Sequence, residues 1–361
     1  MYVYSLMLSF AQTLSLQMSH CNHGKHAMSS MKDVAKLAGV SPSTVSRVIS
    51  QKIPVDRQTQ KRVKEAIKKL NYRPNLLAKG LRLRSGHFIG LVVPEFIPLH
   101  AFANMIKYTE ESAAQHEFTL ILGNHHDNAD IEERFIDSLI RRSVDGIIFS
   151  RVSNESRVLK IFHEQNIPVV IIDQVLEDER IPSVVLNNYR AGELAAEHFV
   201  DLGHRHIACI SGPLHISLCR ERMKGFQDIL QKNGIDFNER LIVEGDFNLE
   251  AGMRGAETLL RHHPELTAIW AHNDLMAAGV MKELYRRGVH IPEAISILGM
   301  DDVSLAGILS PELSTIQQPF QMMSEKAVEM IIMQKENRAF AEKKVIFEPT
   351  LVRRETTSPV V

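Results

Sequence analysis

Cysteine is scarce in this sequence, which has only Cys21, Cys209 and Cys219 among its 361 residues. Three thiols at such uneven spacing cannot form the disulfide framework of a secreted domain, so we expect a reducing compartment, the cytoplasm. The first eighteen residues carry no charge, but Ser, Gln and Thr interrupt them too often for a bilayer span. No membrane partner is therefore expected.

A secretory signal is also missing, because residues 1–28 have no basic segment before the apolar stretch and no clear small-residue cleavage site. We interpret residues 1–28 as a disordered leader or a mis-assigned start, with Met28 or Met31 as the true first residue. The Cys/His-rich tract at 20–26 could hold a metal ion, but a floppy tail is the simpler interpretation. No metal site is predicted.

Motifs of the common enzyme classes are absent as well. The chain has no Gly-x-Ser-x-Gly elbow, no His-Glu-x-x-His, no Walker loop and no Gly-x-Gly-x-x-Gly after its first predicted strand. The pairs His125-His126 and His262-His263 have no partners at metal-ligand spacing. A dehydrogenase-like NAD enzyme could be argued only from fold analogy, which does not establish function. The sequence therefore predicts a protein that is not an enzyme and carries no cofactor.

Charge is unevenly distributed along the chain, although the total is only -1. Residues 31–87 contain fourteen Lys and Arg against Asp33, Asp56 and Glu65, which gives a net charge of +11. Lys25 adds one charge in the leader, so the residues from 88 onward carry -13. A basic front and an acidic remainder suggest that a polyanion binds at the front only.

Residues 39–49 predict a tight turn followed by a short exposed helix. Gly39 can take the left-handed conformation that ends one helix, while Ser41 followed by Pro42 forms an N-cap and a first-turn proline that begin the next. The valines and the isoleucine of the second helix form one narrow apolar stripe, which leaves a polar and basic face outward. Such a face suits the reading of base edges in DNA.

A third helix is predicted after Asp56, which is a good N-cap. Apolar residues follow at helical spacing, namely Val63, Ala66, Ile67 and Leu70. Three short helices can then share one small core. The polar side of the third helix carries Lys61, Lys64, Lys68 and Lys69. Phosphate contacts there would make binding depend on salt, although a merely solvated lysine face is the alternative.

This basic segment resembles the DNA-binding module of the lactose-repressor family of bacterial transcription regulators. The resemblance rests on four phrases that match without gaps: Lys32 to Ala35, Ala38 to Ser41, Thr44 to Val48, and Leu70 to Asn75. It implies that Arg47 reads a guanine. The residues expected to contact DNA are Lys32, Ser41, Pro42, Ser43, Thr44, Ser46, Arg47, Tyr72, Asn75, Ala78 and Leu81.

The segment from Asn75 to Arg84 is too short to be a stable isolated helix, and Gly80 weakens it further. In the family it is the hinge helix, which pairs with its symmetry mate and pushes a leucine between base steps in the minor groove. The resemblance assigns that wedge to Leu81. Ordinary packing against the core is the alternative.

From Phe88 onward, short apolar runs alternate with amphipathic stretches. The runs are 88–93, 118–122, 144–150, 168–172, 207–211, 241–244, 268–271 and 295–300. This alternation predicts doubly wound parallel sheets covered by helices on both faces. The number of strands exceeds one comfortable sheet, so we expect an α/β body of two lobes behind a small all-α helix-turn-helix domain.

The family resemblance also covers this body, and it implies the fold of periplasmic sugar-binding proteins. The expected division is a leader at 1–28, a helix-turn-helix domain at 29–73, a hinge helix and linker at 74–87, an effector-binding and dimerisation core at 88–355, and a tail at 356–361. Within the core, the first lobe is expected at about 88–187 and 319–335. The second lobe is expected at about 188–317 and 336–355.

Doubly wound sheets bind ligands at the carboxyl ends of their strands. Carboxylates, an amide, a guanidinium and an aromatic ring follow the predicted strands, and this mixture suits a sugar. The predicted effector-binding residues are Ser150, Asp173, Arg220, Phe247, Asn273 and Asp301, the last five of which match positions that the family uses. Arg222 is expected to brace its loop, Asp302 to cap a helix and Trp270 to lie in the core, whereas Asp274 could be a helix charge or a ligand contact.

A purine is the alternative effector. The purine-responsive branch of the family reads the base with an arginine at the position of Ile216 and has an acidic residue at the position of Asn273, so these two residues favour a carbohydrate or sugar acid. A regulator that responds to a protein co-repressor is a further alternative. A pure sugar-binding receptor is disfavoured by the basic domain.

The sequence thus predicts a homodimeric, cytoplasmic transcriptional regulator, most simply a repressor, that binds double-stranded operator DNA under the control of a small carbohydrate effector. Two recognition helices would read a roughly palindromic operator. Because no leucine heptads follow the core, we expect a dimer rather than a tetramer.

Overall fold

The computed structural model describes residues 30–50, 54–72, 86–94, 101–126, 128–150, 158–176, 178 and 180–360. The chain divides into two compact units, Met1–Lys79 and Gly80–Val361. None of the described helices is long and apolar enough to cross a membrane.

The first unit contains three helices, α1 (Met31–Ala38), α2 (Pro42–Ser50) and α3 (Arg57–Lys69). Ser30 and Asp33 form a reciprocal capping box at the start of α1, and Gly39 ends that helix at φ 64° in the left-handed conformation. The helices share a small core that buries Val34, Val45, Val48, Val63 and Tyr72 among others. The predicted helix-turn-helix and its third helix are confirmed.

The second unit contains two six-stranded sheets with helices between their strands. Its elements in chain order are β1 (Phe88–Val93), α4 (Ala101–Gln115), β2 (Thr119–Asn124), α5 (Ala129–Arg141), β3 (Gly146–Ser150), α6 (Val158–Gln165), β4 (Val169–Ile172), β5 (Ser183–Leu186), α7 (Asn188–Asp201), β6 (Ile207–Ser211), α8 (Ser217–Lys232), β7 (Ile242–Glu244), α9 (Leu249–His262), β8 (Ala268–Ala271), α10 (Asp274–Arg286), β9 (Ser296–Asp301), β10 (Ser314–Gln317), α11 (Phe320–Lys335), β11 (Lys344–Phe347) and β12 (Thr350–Val352).

Both sheets are doubly wound, as the sequence predicted: the chain adds strands on one side of the sheet and then on the other. The first sheet has the order β11-β5-β4-β3-β1-β2 and is parallel throughout. The second has the order β12-β10-β9-β8-β6-β7, with β12 antiparallel to β10 and all other pairs parallel. The order reverses beside β1 in one sheet and beside β6 in the other, and ligands of such sheets bind at these reversals.

Four strands were not predicted from the sequence, namely β5, β10, β11 and β12. Each has only three or four residues, and strands of this length give only a weak apolar signal. These strands are identified by their hydrogen-bonded pairing with neighbouring strands. For example, β11 pairs in parallel with β5, with Lys344 opposite Ser183.

The chain crosses between the two sheets three times. The first two crossings lie near Asn187 and between Gln317 and Phe320, at the lobe boundaries that the family resemblance implied. The third was expected after about Lys335, but β11 still belongs to the first sheet, so this crossing lies between Phe347 and Thr350. Residues 336–347 therefore belong with the first lobe instead of the second.

The segment expected to be a tail is part of the second lobe. Thr356 is fully buried, and its carbonyl accepts a hydrogen bond from Ile297 N at 2.7 Å. Two buried histidines hold the residues that follow: His198 Nε2 lies 3.0 Å from Thr357 Oγ1, and His204 Nε2 lies 3.1 Å from the carbonyl oxygen of Ser358. Residues 356–358 are thus hydrogen-bonded to the first residues of β9, Ser296 and Ile297.

Candidate DNA-binding surface and effector cleft

Three hydroxyl groups cluster at the start of α2. Ser41 Oγ lies 2.7 Å from Ser43 Oγ and 2.9 Å from Thr44 Oγ1, and it accepts a hydrogen bond from Thr44 N at 3.2 Å. Ser41, Pro42 and Ser43 are exposed. Hydroxyls and free N–H groups at the positive end of a helix can donate to phosphates and to base edges, so this end of α2 is a suitable DNA-binding surface.

The other residues predicted to bind DNA are placed as follows. Lys32 and Arg47 are exposed, and Ser46 is partly exposed. Tyr72 is only 8% exposed and packs in the core of the three helices, so its ring supports the module instead of forming part of its surface. Asn75, Ala78 and Leu81 lie outside the described residues, as does most of the predicted hinge.

The basic side of α3 is exposed. Arg57, Lys61, Lys64 and Lys68 line one shallow groove together with Gln60 and Glu65. Neighbouring lysines on one helix face raise the local positive potential, which suits contacts with a polyanion that depend on salt.

A cavity of about 300 Å³ lies between the two lobes of the second unit. The first lobe contributes Pro94, Ala101, Phe102, Met105, His126 and Asp173; the second lobe contributes Pro213, His215, Ile216, Leu218, Arg222, Asp246, Phe247 and Asp301; and the second crossing contributes Gln318 and Phe320. Apolar walls with a few polar groups and a volume of this size are typical of a small-molecule site.

Three of these residues have backbone conformations that L-residues rarely adopt. The φ angles are 68° at Asp173, 67° at Phe247 and 110° at Asp301. Asp173 follows directly on β4, and Asp301 is the last residue of β9. Left-handed conformations outside glycine cost free energy and cluster at functional sites, where they orient a side chain. All three were predicted effector ligands, and the structure brings all three to the cavity.

The guanidinium at the cavity belongs to Arg222, and Arg220 does not line it. Arg222 is 3% exposed; its Nε donates to Asn188 Oδ1 and its Nη1 to the carbonyl oxygen of His272, both at 2.8 Å. Arg220 is exposed and donates through Nη1 to the carbonyl oxygens of Leu214 and His215. The sequence therefore named the wrong arginine for this cavity, and Arg220 is the one that braces the loop.

Helix geometry explains why Arg222 and not Arg220 lines the cavity. Two residues along an α-helix turn the side chain by about 200°, so Arg220 and Arg222 lie on opposite sides of α8. The side that carries Arg222 faces α7, because the two helices cross at glycines: a Cβ on Gly225 would lie 2.0 Å from the carbonyl oxygen of Tyr189, and one on Gly192 would lie 1.9 Å from that of Arg222. The spacing of Arg222 and Gly225 was a signal that could have identified the buried side.

Asp301 is the buried acidic group of the cavity. It is 3% exposed, and its Oδ1 accepts a hydrogen bond from Gln318 Nε2 at 2.6 Å. Burial raises the pKa of Asp301 to about 7, while the charge of Arg222 and the hydrogen bond from Gln318 lower it and the charge of Asp173 raises it. Asp301 can therefore change its protonation state near neutral pH.

Asp274 and Asp302 have structural partners. Asp274 is 1% exposed and accepts from Thr315 Oγ1 at 2.6 Å and from Val303 N at 2.8 Å; burial, with a smaller effect of Asp301, raises its pKa well above the ordinary value. Asp302 was expected to cap a helix, but it instead accepts from Arg354 Nη2 at 2.6 Å and Gln317 Nε2 at 2.7 Å. Neither residue lines the cavity.

Ser150 and Asn273 were predicted ligands that the structure places behind the cavity wall. Ser150 is fully buried at the end of β3, and its Oγ has no hydrogen-bond partner among the described residues. Asn273 is 2% exposed; its Oδ1 caps α10 by accepting from Met276 N, and its Nδ2 donates to the carbonyl oxygen of Phe247, both at 2.8 Å. Asn273 thus holds Phe247 in position.

Sequence reasoning missed Gln318, His126 and Asp246 as cavity residues. Gln318 belongs to a crossing, and the other two lie beyond strand ends in loops, where no periodic signal identifies a residue. The prediction that Trp270 is a core residue is confirmed, because its side chain is fully buried.

Comparison with known proteins gives matches to both units. Residues 30–75 match the family described as bacterial regulatory proteins, lacI family, and residues 86–347 match periplasmic binding proteins and sugar binding domain of LacI family. A repressor named PurR from Vibrio atlanticus is 33% identical over 331 residues, covering 91% of this chain and 98% of the relative. The PurR repressor of Aliivibrio salmonicida is 33% identical over 307 residues, covering 84% and 92%.

Solved structures with the same architecture include both DNA-bound and ligand-bound regulators. The lac repressor dimer bound to operator and the anti-inducer ONPF is similar with a TM-score of 0.79 at 27% identity, covering 92% of this chain and 99% of that one. A complex of the transcriptional regulator CelR with cellobiose gives a TM-score of 0.69 at 27% identity, covering 91% and 99%.

Proposed function

This chain belongs to the lactose-repressor family and is a DNA-binding transcriptional repressor, and on that premise we propose that a small molecule in the cavity between its lobes controls its affinity for operator DNA. The observation that carries the proposal is the cavity itself, which takes Asp173 from one lobe and Arg222 and Asp301 from the other. A molecule that bridges these groups favours one arrangement of the lobes over another, and a ligand shifts an equilibrium only through such differential binding.

A carbohydrate is the effector class that the lining favours. Asp173, Asp246 and Asp301 all accept hydrogen bonds when ionised, and Arg222 is the one arginine or lysine among the lining residues that the structure describes. A polyol offers many hydroxyl donors to such acceptors, and Phe247 offers an apolar surface to a sugar ring. Two similar regulators have been solved with sugars, the CelR regulator with cellobiose and a LacI family regulator from Enterococcus faecium with ribose.

A purine is the second candidate, because the relatives at 33% identity are named PurR. One of the two sequence arguments against it loses force, since Asn273 holds Phe247 and does not reach the cavity. The other argument stands, because Ile216 lines the cavity where the purine-responsive branch has an arginine. The phenylalanines at 102, 247 and 320 would suit a planar base as well as a sugar ring.

The single tryptophan of the chain provides a direct test. Trp270 lies two residues before His272, whose carbonyl oxygen accepts from Arg222, and its ring centroid is 4.5 Å from that of His272. Ligand binding at Arg222 should therefore change Trp270 fluorescence. Titrations with ribose, cellobiose, other sugars and sugar acids, hypoxanthine and guanine would identify the class, and hits would then be tested for release of operator DNA selected from a random pool.

The outcomes separate the candidates. A saturable response to a sugar, lost in Asp173→Asn, would support the carbohydrate assignment, whereas a response to hypoxanthine or guanine alone would replace it with the purine. A ligand that binds in the cavity without changing operator affinity at any concentration would refute control through this site.

We further propose that the repressor acts as a homodimer in the cytoplasm, where its DNA lies. Two recognition helices related by a two-fold axis match a palindromic site. The second lobe exposes apolar side chains that a second copy could cover, with Tyr285 85% exposed and Ile308 76% exposed. Sedimentation of the protein with Tyr285→Asp tests this: a dissociating dimer is expected, and an unchanged dimer would exclude this surface.

A further inference from the structure

Two charged groups that line the cavity, Arg222 and Asp301, are each held by a carboxamide that lies in or directly beside a crossing between the lobes. Arg222 Nε donates to Asn188 Oδ1 at 2.8 Å, and Asn188 is the first residue of α7, directly after the first crossing. Asp301 Oδ1 accepts from Gln318 Nε2 at 2.6 Å, and Gln318 lies in the second crossing. Both charged groups are thus attached to residues at the segments that connect the lobes.

The first amide is fixed from behind. Asn188 is 4% exposed, and its Nδ2 donates to the carbonyl oxygen of Leu186 at 3.3 Å, which orients Oδ1 toward Arg222. The neighbouring Asn187 donates to Glu348 Oε1 at 3.0 Å, and Glu348 belongs to the third crossing. A rotation of the first crossing would therefore move the acceptor that holds Arg222.

The second amide is also in a defined environment. Gln318 is 6% exposed. Its side-chain nitrogen donates to Asp301 Oδ1, and its side-chain oxygen has no hydrogen-bond partner among the described residues. The adjacent Gln317 donates to Asp302 Oδ2 at 2.7 Å and accepts from Thr350 Oγ1 at 3.3 Å, which joins the second crossing to the third.

We infer that Asn188 and Gln318 are positioning residues: Asn188 holds Arg222 and Gln318 holds Asp301, so the placement of both charged groups in the site depends on the geometry of the crossings. The inference rests on the proposed effector site, since it concerns the same cavity. Through Asn188 and Gln318, a change in the arrangement of the lobes would move Arg222 and Asp301. Neither amide has to contact the ligand for this effect.

The protonation of Asp301 reports on both hydrogen bonds without any ligand. The positive charge of Arg222 and the hydrogen bond from Gln318 each lower its pKa. Loss of the Gln318 hydrogen bond, or displacement of Arg222 once Asn188 no longer holds it, should therefore raise that pKa. The other charged or titratable groups near it are Asp173 after β4, Asp274 on α10, Asp302 beside it in the chain, and His126, His215 and Asp246 around the same cavity. The test variants leave all of these in place.

The test is the stability of the ligand-free protein to urea between pH 4 and pH 9, followed by Trp270 fluorescence. A group with a raised pKa in the fold makes stability fall with rising pH until that pKa is passed. Asp274 also has a raised pKa and contributes a fall of its own, so Asp301 is read from the part of the fall that Asp301→Asn removes. Asn188→Leu and Gln318→Met keep the side-chain size and remove the acceptor or the donor. Each should move the end of the fall upward by on the order of one pH unit.

Controls distinguish positioning from general destabilisation. Gln321→Leu removes an exposed amide bonded to Glu325 and should leave the end point unchanged. Both upward shifts should vanish when Asp301→Asn is added. Arg222→Met should give the same direction of shift, and adding Asn188→Leu to it should produce no further shift, because the two residues act through one contact.

Two results would overturn the inference: an end point that stays at the wild-type pH in Asn188→Leu and Gln318→Met, or a shift that persists after Asp301→Asn has been added to either variant. Should Asn188→Leu not fold, Asn188→Ser gives the same test, because the shorter side chain cannot reach Arg222. Neither DNA nor effector is used, so failure of this inference is distinct from failure of the proposed function.

Discussion

Replacing Asp301 by Asn should stabilise this protein at neutral pH. The carboxyl is 3% exposed, and burial raises its pKa to about 7 from an ordinary value of 3.8. Above neutral pH the fold must therefore hold a buried negative charge that the partners Arg222 and Gln318 only partly compensate. Asn keeps the oxygen that accepts from Gln318 and removes the charge.

The magnitude follows from the linkage between protonation and folding. Below pH 3.8 the carboxyl is neutral in both the folded and the unfolded chain, so Asp301→Asn should change stability little there. Between pH 3.8 and about 7 the unfolded chain loses this proton while the fold retains it, so the wild type loses stability as pH rises. At about 1.4 kcal/mol per pH unit, the advantage of the variant should reach about 4 kcal/mol above pH 7.

Urea unfolding of both proteins at pH 4, 6 and 8 measures this difference. The difference between the two curves is needed, since other groups titrate in the same range. Asp246→Asn is the matched control, because Asp246 lines the same cavity but its side chain is 54% exposed. An advantage of the same size for both variants, or an advantage of Asp301→Asn that does not grow between pH 4 and pH 8, would refute the assignment of the buried charge to Asp301.

Further outcomes are expected for other residues. Arg222→Ala should weaken effector binding at least tenfold, because Arg222 is the one arginine or lysine among the described lining residues and a charged hydrogen bond to a ligand contributes about 1.5 to 3 kcal/mol. Arg220→Ala should not weaken binding, since Arg220 does not line the cavity; equal losses in fluorescence titrations would contradict the geometry. Arg47→Ala should cost about 1 to 3 kcal/mol at one operator position and leave the other positions unchanged in a binding assay with single-base variants. Burial lowers the pKa of His198 to about 4 from 6.5, so the wild type should lose up to about 3 kcal/mol as pH falls from 6.5 to 4, and His198→Gln should lack this loss in urea titrations. Gly225→Ala should lower the melting temperature markedly, because its Cβ would lie 2.0 Å from a backbone carbonyl of α7; an unchanged melting temperature would show that the helices separate freely.

The three described helices of the first unit could be predicted from the sequence, because their signals are local. Gly39, Ser41 and Asp56 specify where helices end and begin within a few residues of themselves, and the observed caps use the backbone conformation of Gly39 and the side chains of Ser41 and Asp56. Tyr72 is the exception, since only the packing of three helices decides that its ring is buried.

The effector cavity was predicted less completely. Asp173, Phe247 and Asp301 were identified because each lies at or near the carboxyl end of a strand, and parallel strands bring such residues together. Asn273 occupies an equivalent position but turns its side chain to a helix terminus and to Phe247. Position along a strand therefore predicts proximity to the site, not contact with its ligand.

The amino-acid sequence by itself determined the basic three-helix module, the doubly wound α/β body and the edge of the sheets at which a ligand would bind, because these follow from caps, periodicity and the direction of parallel strands. Tertiary structure decided which arginine reaches the cavity, where the chain crosses for the third time, and how two amides on the crossings hold Arg222 and Asp301. These features depend on how α8 packs against α7 and on pairing between strands far apart in sequence, so no stretch of the chain encodes them alone.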